Sequence, residues 1–406
     1  MVVAVALLGP WGGSARAGGS RALAEDGQGI VLDGFHFASI VRLKDGSLIT
    51  ERGLRSIDRG RSWRKSDAFR PAGSKGLLRL PNGELGAYEG DWSLQTAEGN
   101  DTNHWDFRWS ADEGTSWSKP VRISLPGMTF GLENTMFVLK TGRLVLATYS
   151  QFMGSRFDKR GASWGTYQGV RLNVETEGHF PVLEAGRIYY SDDNGRQWKA
   201  SDGWIIGWRD KKWSDSFTEP CGVELKDGRL LLLGRTLIGR IEQAKSNDGG
   251  RSWWPGAKTT ELMSSYSPCC LGRLPTGDLV IVWNQLSRSD IRKGLRRCRL
   301  SSAISKDEGK SWEHFKNIEA IKSLGGISHV RPDDDLTPVW GDNEVGKLPD
   351  DFQLFHYPNL SIVDNNVFLC YQVTSYKLTV GKDGKKSVVP VSRSRTRILP
   401  VEWFYH

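Results

Sequence analysis

The pattern Ser-x-Asp-x-Gly-x-x-Trp is the feature of this 406-residue sequence that most restricts its fold. It occurs five times, at residues 56–63, 110–117, 191–198, 246–253 and 305–312. In each copy the aspartate can accept hydrogen bonds from the N–H groups of a tight turn. The glycine permits a positive φ, and the tryptophan covers the turn. Five such copies predict five similar β-hairpins with structural aspartates.

A second repeat precedes each motif and consists of two apolar runs around a short turn. It occurs six times, at residues 41–49, 77–87, 138–147, 223–233, 271–283 and 360–371. Six such hairpins, five of them followed by an aspartate-motif hairpin, predict six four-stranded units. Radial stacking of these units makes a propeller. We therefore expect an all-β, six-bladed β-propeller that spans residues 26–406.

Composition and charge agree with this interpretation and exclude some partners. The 17 Trp and 47 Gly suit a protein with many turns packed by aromatic rings. The net charge is +8, but basic and acidic residues alternate without a dense basic tract, so we expect no nucleic-acid partner. The 5 cysteines lack a Cys-x-x-Cys pair and are interpreted as buried small hydrophobic residues. We expect no cofactor and no metal site.

The N-terminal 25 residues form a separate segment in this interpretation. Residues 2–10 are apolar, and Ala15-Arg16-Ala17 resembles a small-residue cleavage site, so the segment is typical of a weak secretory signal. We expect a secreted or periplasmic protein. The alternative is a cytoplasmic protein with a misassigned start or a frayed tail. No stretch is long and apolar enough to predict a membrane span.

The order of the strands predicts which face of the propeller carries a site. Both kinds of turn lie on one face, so the start of the first strand, the end of the second and the start of the third lie on the other. The connections on that other face are long and irregular, at residues 90–104, 150–185, 285–296 and 316–356, and long loops are usually functional. Nine residues fall there: His36, Glu51, Arg52, Glu89, Asp91, Glu219, Arg235, Arg297 and Tyr357.

The sequence resembles the sialidase (neuraminidase) superfamily of glycoside hydrolases with bacterial Asp-box (BNR) repeats, and we call the aspartate motif the Asp box. Thr218-Glu219-Pro220, the following Val-Glu-Leu-Lys-Asp-Gly-Arg-Leu run and Gly234-Arg235-Thr236 are similar to the family's glutamate-bearing strand, turn and arginine-ended strand. Arg297-Cys298-Arg299-Leu300 resembles the segment with the last arginine of the family's triad. Tyr357-Pro358-Asn359-Leu360 precedes the last hairpin, as the family's nucleophilic tyrosine does.

This resemblance implies a retaining exo-glycoside hydrolase that acts on an acidic sugar such as sialic acid. Tyr357 would be the nucleophile and Glu219 its base, because a neutral tyrosine avoids the repulsion that a carboxylate nucleophile would meet beside the sugar carboxylate. Arg235 and Arg297 would bind that carboxylate through paired charge-assisted hydrogen bonds. The expected partner is an acidic glycan, and the oligomeric state is left open.

Two positions depart from the family pattern. His36 stands where the family has the first arginine of its triad, so it is the candidate third carboxylate-binding residue. The loop that carries the family's acid aspartate is reduced to a few residues between Arg52 and Ser56. Glu51, Glu89, Asp91 and His36 itself are the candidate acids, and the sequence does not rank them.

Two other functions remain open at this point. His36 and a nearby tyrosine would suit proton abstraction in a propeller lyase that cleaves uronic-acid polysaccharides. The departures from the family pattern would also suit a non-catalytic carbohydrate-binding propeller, since one fold hosts many functions. For Arg297 the competing interpretation is a solvated basic loop, and for Glu219 and Arg235 it is a buried structural ion pair.

Overall fold

The structure is a computed structural model that describes residues 29–73, 75–91, 104–124, 129–151, 163–175, 184–209 and 213–406. The predicted N-terminal segment of residues 1–25 lies outside them. Strands dominate the described residues, with two short α-helices, α1 (Arg288–Arg292) and α2 (Lys322–Gly325), and a 3-10 helix (Val401–Phe404).

The strands of the N-terminal half, in chain order, are β1 (Ile30–Asp33), β2 (Ile40–Arg42), β3 (Leu48–Thr50), β4 (Leu54–Ser56), β5 (Arg64–Lys65), β6 (Gly76–Arg79), β7 (Leu85–Asp91), β8 (His104–Ser110), β9 (Val121–Arg122), β10 (Thr129–Phe130), β11 (Met136–Val138), β12 (Leu144–Gln151), β13 (Ser163–Tyr167), β14 (Val170–Glu175), β15 (Glu184–Ser191) and β16 (Lys199–Ala200). Those of the C-terminal half are β17 (Gly207–Arg209), β18 (Trp213–Asp215), β19 (Thr218–Glu224), β20 (Leu230–Arg235), β21 (Arg240–Ser246), β22 (Lys258–Met263), β23 (Cys270–Arg273), β24 (Leu279–Trp283), β25 (Arg299–Ser305), β26 (Glu313–Ala320), β27 (Glu344–Lys347), β28 (Gln353–Val363), β29 (Asn366–Val380) and β30 (Lys386–Pro400).

Most of these strands form six antiparallel sheets, here called sheets 1 to 6. Sheets 1, 2, 4 and 5 each contain four consecutive strands, which are β2–β5, β6–β9, β19–β22 and β23–β26. In sheet 3, β10 and β11 both pair with β12, which continues to β15 and β16. Sheet 6 has the order β28, β29, β30, β1, so the first described strand of the chain completes the last sheet. The six hairpins and the all-β class predicted from the sequence are confirmed, whereas the contribution of β1 was not predicted.

Each Asp box forms the turn between the third and fourth strands of its sheet. In the second copy, Asp112 Oδ1 accepts hydrogen bonds from the Ser116 N–H at 2.9 Å and the Ser110 hydroxyl at 2.7 Å. The Ser116 hydroxyl also donates to Asp112 Oδ2 at 2.6 Å, and this bond, with the two others, lowers the pKa of Asp112 to about 2. The Gly114 N–H donates to the Ser110 hydroxyl at 2.8 Å, and the same Ser–Asp and Gly–Ser bonds recur in the other four copies. The aspartates therefore have the structural role that the motif predicts.

Strands of successive sheets approach one another in cyclic order. β2 lies beside both β6 and β28, β6 beside β11, β12 beside β19, and β23 beside both β19 and β28. Hydrogen bonds cross between these strands: the Asn359 side-chain amide donates to the Phe37 carbonyl at 3.1 Å, and the Ile40 N–H donates to the Ser361 hydroxyl at 3.0 Å. Apolar side chains fill the space between successive sheets. The core therefore lies between the sheets, and the ends of the strands remain available to form a site.

The connections opposite the Asp boxes are more regular than the sequence predicted. The segments expected to be irregular contain the hairpin β13–β14, the helices α1 and α2, and β27, which pairs with β13. The reason is a separate apolar cluster that includes Tyr167, Val174, Leu295, Val339 and Phe352, because its burial orders the backbone around it. The long hairpin β29–β30 packs against this cluster through Tyr376 and Val388.

The described residues bear on two smaller expectations. All five cysteines are free and buried, as the spacing predicted. Within the described ranges, no helix has both the length and the apolar character needed to cross a membrane.

Candidate functional site

Most of the predicted site residues lie at or near strand ends opposite the Asp boxes, whereas Glu219 and Tyr357 lie inside β19 and β28. Glu219 and Tyr357 each sit at an irregularity in strand pairing, in β19 and β28, immediately before a proline. Both have a positive φ, 46° for Glu219 and 49° for Tyr357, which is a costly conformation for a residue with a side chain. Bulges of this kind redirect side chains. The same local device therefore orients both residues that the sequence assigned to catalysis.

Glu219 and Arg235 form a buried ion pair. Arg235 Nη1 lies 2.5 Å from Glu219 Oε2, and the two side chains are only 7% and 9% exposed. The guanidinium of Arg235 also lies over the ring of Tyr266, 3.5 Å from its centre. Cation–π contact and burial together hold the arginine in one orientation. The ion pair considered as a competing interpretation thus exists, and it lies on the face predicted for the site.

Arg297 lies beneath Tyr357. Its side chain is buried, with the guanidinium 4.9 Å from the centre of the Tyr357 ring and Nη1 3.1 Å from His356 Nδ1. The described contacts of Tyr357 are with Arg297 and with the stacked ring of His356. The interpretation of Arg297 as part of a solvated basic loop is wrong, because apolar packing around this segment removes it from water. The contact between Tyr357 and Glu219 stays a prediction.

His36 forms part of a half-buried polar cluster at the edge of sheet 1. Its Nε2 lies 3.1 Å from Glu133 Oε2, and its Nδ1 lies 3.5 Å from Cys370 Sγ. Burial alone would lower the pKa of His36, but Cys370 and Glu133 raise it to about 10. Although burial opposes ionisation of Glu133, the hydrogen bond from His36 and the charges of His36, Lys75 and Arg52 hold its pKa below the usual value. His36 is therefore a cation at neutral pH, as an arginine at this position would be.

This pairing predicts a specific dependence of stability on pH. The folded state raises the pKa of His36 from 6.5 to about 10, so its contribution is complete below pH 6.5 and is lost as the pH rises toward 10. Urea unfolding of the protein and of His36→Gln across this range should show a stability difference that is largest at pH 6 and shrinks at alkaline pH. A difference that does not change with pH would contradict a protonated His36.

The three carboxylates proposed as acids have different surroundings. Glu51 is fully buried; burial and the charge of Glu133 raise its pKa, and it accepts a hydrogen bond from the Ser39 N–H at 3.1 Å. Glu51 and Glu89 line a cavity of about 680 Å³ between sheets 1 and 2, together with Arg52, Pro71, Ala72, Gly73, Arg108 and Trp117. The backbone of Asp91 ends β7, but its side chain lies outside what the structure describes.

Glu184 is a carboxylate of the site that the sequence analysis missed. Its Oε2 accepts a hydrogen bond of 3.2 Å from the Tyr266 hydroxyl, and Tyr266 in turn carries Arg235 on its ring. Tyr149 is half-buried in the same group, where burial and the charges of Glu219 and Glu184 raise its pKa. Glu184 begins β15 opposite the end of β12, so the strand-end rule, applied to the third strand of sheet 3, would have found it.

Counting residues back from a turn glycine would have found Glu133 from the sequence. It lies nine residues before the turn glycine Gly142, as Glu219 lies nine residues before Gly228. Equal distance from equivalent hairpin turns places both residues near the start of the first strand of the hairpin, Glu219 inside β19 and Glu133 three residues before β11. Tyr149 and Tyr266 have no such signal, because an isolated tyrosine beside a strand is ordinary in a β protein.

Comparison with known proteins assigns the family. The sequence matches the model of the BNR repeat-like domain over residues 67–369. The chain belongs to the BNR repeat-like domain family. No curated protein sequence matches it.

Solved structures with a similar fold include sialidases. A Hadza microbial sialidase superposes with a TM-score of 0.50 at 16% identity, over 90% of this chain and 65% of that one. A protein of unknown function from Dyadobacter fermentans gives 0.47 at 17% identity, over 94% of both chains. A Trypanosoma rangeli sialidase gives 0.43 at 14% identity, over 91% of this chain and 51% of that one. The fold of this BNR-repeat protein is therefore all-β and similar to that of the Hadza microbial sialidase.

Proposed function

We propose that the protein is a retaining exo-glycoside hydrolase that acts on an acidic sugar, sialic acid or a related sugar. The observation that carries this proposal is a pair of buried arginines on one face, Arg235 against Glu219 and Arg297 against Tyr357. A buried guanidinium is an expensive group to maintain, and its fork of donors matches a carboxylate. A sugar carboxylate would be the natural ligand of two such groups.

The proposed nucleophile and base are Tyr357 and Glu219. Tyr357 attacks the anomeric carbon while Glu219 accepts the proton of the Tyr357 hydroxyl. Because tyrosine is neutral before it attacks, the negative charge of the substrate carboxylate does not repel it. The positive φ at both residues supports this proposal, because costly backbone conformations concentrate at functional sites. Arg297 supports it further by placing a positive charge 4.9 Å from the Tyr357 ring.

His36 supports a hydrolase more than a lyase. A histidine whose pKa is raised to about 10 holds its proton at neutral pH, so it is a poor base for proton abstraction. Its positive charge suits the place of the family's first arginine, although Glu133 shares that charge. We assign His36 to carboxylate binding, together with Arg235 and Arg297.

We also propose that sheets 1 to 6 are the blades of a six-bladed propeller. The cyclic approach of strands of successive sheets supports this arrangement, as does the completion of sheet 6 by β1, which joins the start of the chain to its end. In such a fold the starts of the inner strands converge on one central mouth. His36, Glu219 and Tyr357 would then share one pocket.

The test is cleavage of 4-methylumbelliferyl glycosides of sialic acid and of uronic acids by the protein and by Tyr357→Phe and Glu219→Gln. Each substitution is expected to lower kcat by at least about 100-fold, the scale of a lost general base. Tyr376→Phe is the matched control, because Tyr376 lies on the hairpin β29–β30, and it should retain full activity.

Three outcomes would contradict the proposal. Unchanged turnover in both variants would exclude their assigned roles. An unsaturated product that absorbs in the ultraviolet, formed from uronic-acid polymers, would identify a lyase. Binding of acidic glycans without any cleavage would identify a carbohydrate-binding protein.

A further inference from the structure

The structure leaves little room for a general acid at the position where the family carries one. β3 ends at Thr50 and β4 begins at Leu54, so three residues make the connection. The Gly53 N–H donates to the Thr50 carbonyl at 2.9 Å, which closes the connection as a tight turn. Glu51 in this turn is occupied by the Ser39 N–H and by Arg52, at 3.1 Å and 3.2 Å. The acid of this protein therefore has to come from another part of the mouth.

Glu184 is the carboxylate that contacts the proposed site through a continuous set of side chains. It accepts a hydrogen bond from Tyr266, whose ring carries the Arg235 guanidinium, and Arg235 is paired with Glu219. Glu184 is the first residue of β15 and is 5% exposed to solvent. It reaches the same group of residues as Glu219, but from sheet 3 instead of sheet 4.

We propose that Glu184 is the general acid of the glycosidase, in place of the aspartate that the family carries in its first blade. This inference rests on the proposed function. In the first step the Glu184 carboxyl gives its proton to the glycosidic oxygen as that oxygen leaves the anomeric carbon. The Tyr357 oxygen bonds to this carbon and passes its proton to Glu219. In the second step the Glu184 carboxylate takes a proton from water, the water oxygen bonds to the anomeric carbon and displaces the Tyr357 oxygen, and Glu219 returns its proton to that oxygen.

The surroundings of Glu184 suit this role. Burial and the charge of Glu219 raise its pKa to about 7, against the opposing effects of Arg235 and of hydrogen bonds from Tyr266 and Ser216. Tyr149 faces the same group from β12. A carboxyl that titrates near pH 7 is available both as an acid and, once ionised, as a base. Tyr266 is a positioning residue, since it orients both Glu184 and Arg235.

Dependence on the leaving group separates a general acid from a structural residue. A 4-nitrophenolate leaves without protonation, whereas a sugar or methanol needs a proton. In Glu184→Gln, kcat/KM should fall by about 10²–10⁴-fold for a methyl glycoside and for a natural disaccharide, but by less than about 10-fold for the 4-nitrophenyl glycoside. With the methyl glycoside, kcat/KM of the unaltered protein should fall above pH 7, and this fall should be absent from the variant.

Glu51→Gln and Glu89→Gln are the matched controls, because both remove a carboxyl on the same face. If either shows the leaving-group dependence and Glu184→Gln does not, the assignment to Glu184 is wrong. An equal loss for all three substrates would also overturn it, since that result indicates a structural role. Absence of cleavage by the unaltered protein would instead count against the proposed function.

A second variant covers the case in which Glu184→Gln fails to fold. Tyr266→Phe keeps the ring under Arg235 but removes the hydroxyl that donates to Glu184. Loss of this hydrogen bond should raise the pKa of Glu184. The fall in kcat/KM for the methyl glycoside at alkaline pH should therefore begin at a higher pH in this variant. A fall that begins at the same pH would contradict the assignment.

Discussion

Replacement of Arg235 by methionine is expected to lower the free energy of unfolding by about 3–5 kcal/mol. The substitution keeps an apolar side chain over Tyr266 but removes the guanidinium that pairs with Glu219 at 2.5 Å. With both side chains less than 10% exposed, water cannot replace the lost partner, and Glu219 is left as an uncompensated buried charge. Urea unfolding monitored by tryptophan fluorescence measures the effect.

The double variant Glu219→Gln with Arg235→Met provides the control. It removes both charges, so it should be more stable than Arg235→Met by about 1–3 kcal/mol, the usual range for residues in direct contact. If the loss in free energy of unfolding of the double variant equals the sum of the losses of Glu219→Gln and Arg235→Met, the ion pair contributes nothing to stability. That result would also weaken the proposed site, because it would mean that water reaches both groups.

Replacement of Gly195 by alanine is expected to destabilise the fold by about 2–5 kcal/mol. Gly195 belongs to the third Asp box and has a φ of 86°, which disfavours any side chain. A Cβ at this position would also overlap the ring of Phe107 in sheet 2. The turn glycine thus lets sheet 3 pack closely against sheet 2 and also allows the turn itself.

Gly228→Ala separates these two contributions. Gly228 has nearly the same φ, 85°, but no atom lies within 4 Å of the position of a Cβ. Its substitution should therefore cost only the backbone term, about 1–2 kcal/mol. Thermal unfolding of Gly195→Ala and Gly228→Ala in parallel measures both losses of stability. The difference between them is the cost of the overlap with Phe107. Equal losses would mean that Phe107 moves aside at no cost.

The two faces of the protein show how the site is separated from the repeats. The Asp boxes contain the most conspicuous aspartates of the sequence, but hydrogen bonds from neighbouring serines occupy them. The candidate carboxylates, Glu184 and Glu219, lie at the opposite strand ends, where the connections vary. A repeated fold can therefore carry a single site, because only the connections differ from sheet to sheet.

Turns and strand order were determined by the sequence alone, because their interactions are local. An Asp box closes within eight residues, so its serine, aspartate, glycine and tryptophan can be recognised without any distant partner. Antiparallel pairing then determines which strand ends share a face, and this was sufficient to name Glu219, Arg235, Arg297 and Tyr357 among the candidates on one face.

The partners of the site residues were decided only by the tertiary structure. His36 meets Cys370 across 334 residues, Tyr266 meets Glu184 across 82, and β1 completes a sheet formed by the last strands of the chain. Such contacts depend on how the sheets stack and on which side chains this stacking removes from water. Cys370 and Glu133 raise the pKa of His36 against the effect of burial, and burial raises the pKa of Glu184. The protonation states relevant to catalysis therefore follow from packing and have no signature in the sequence.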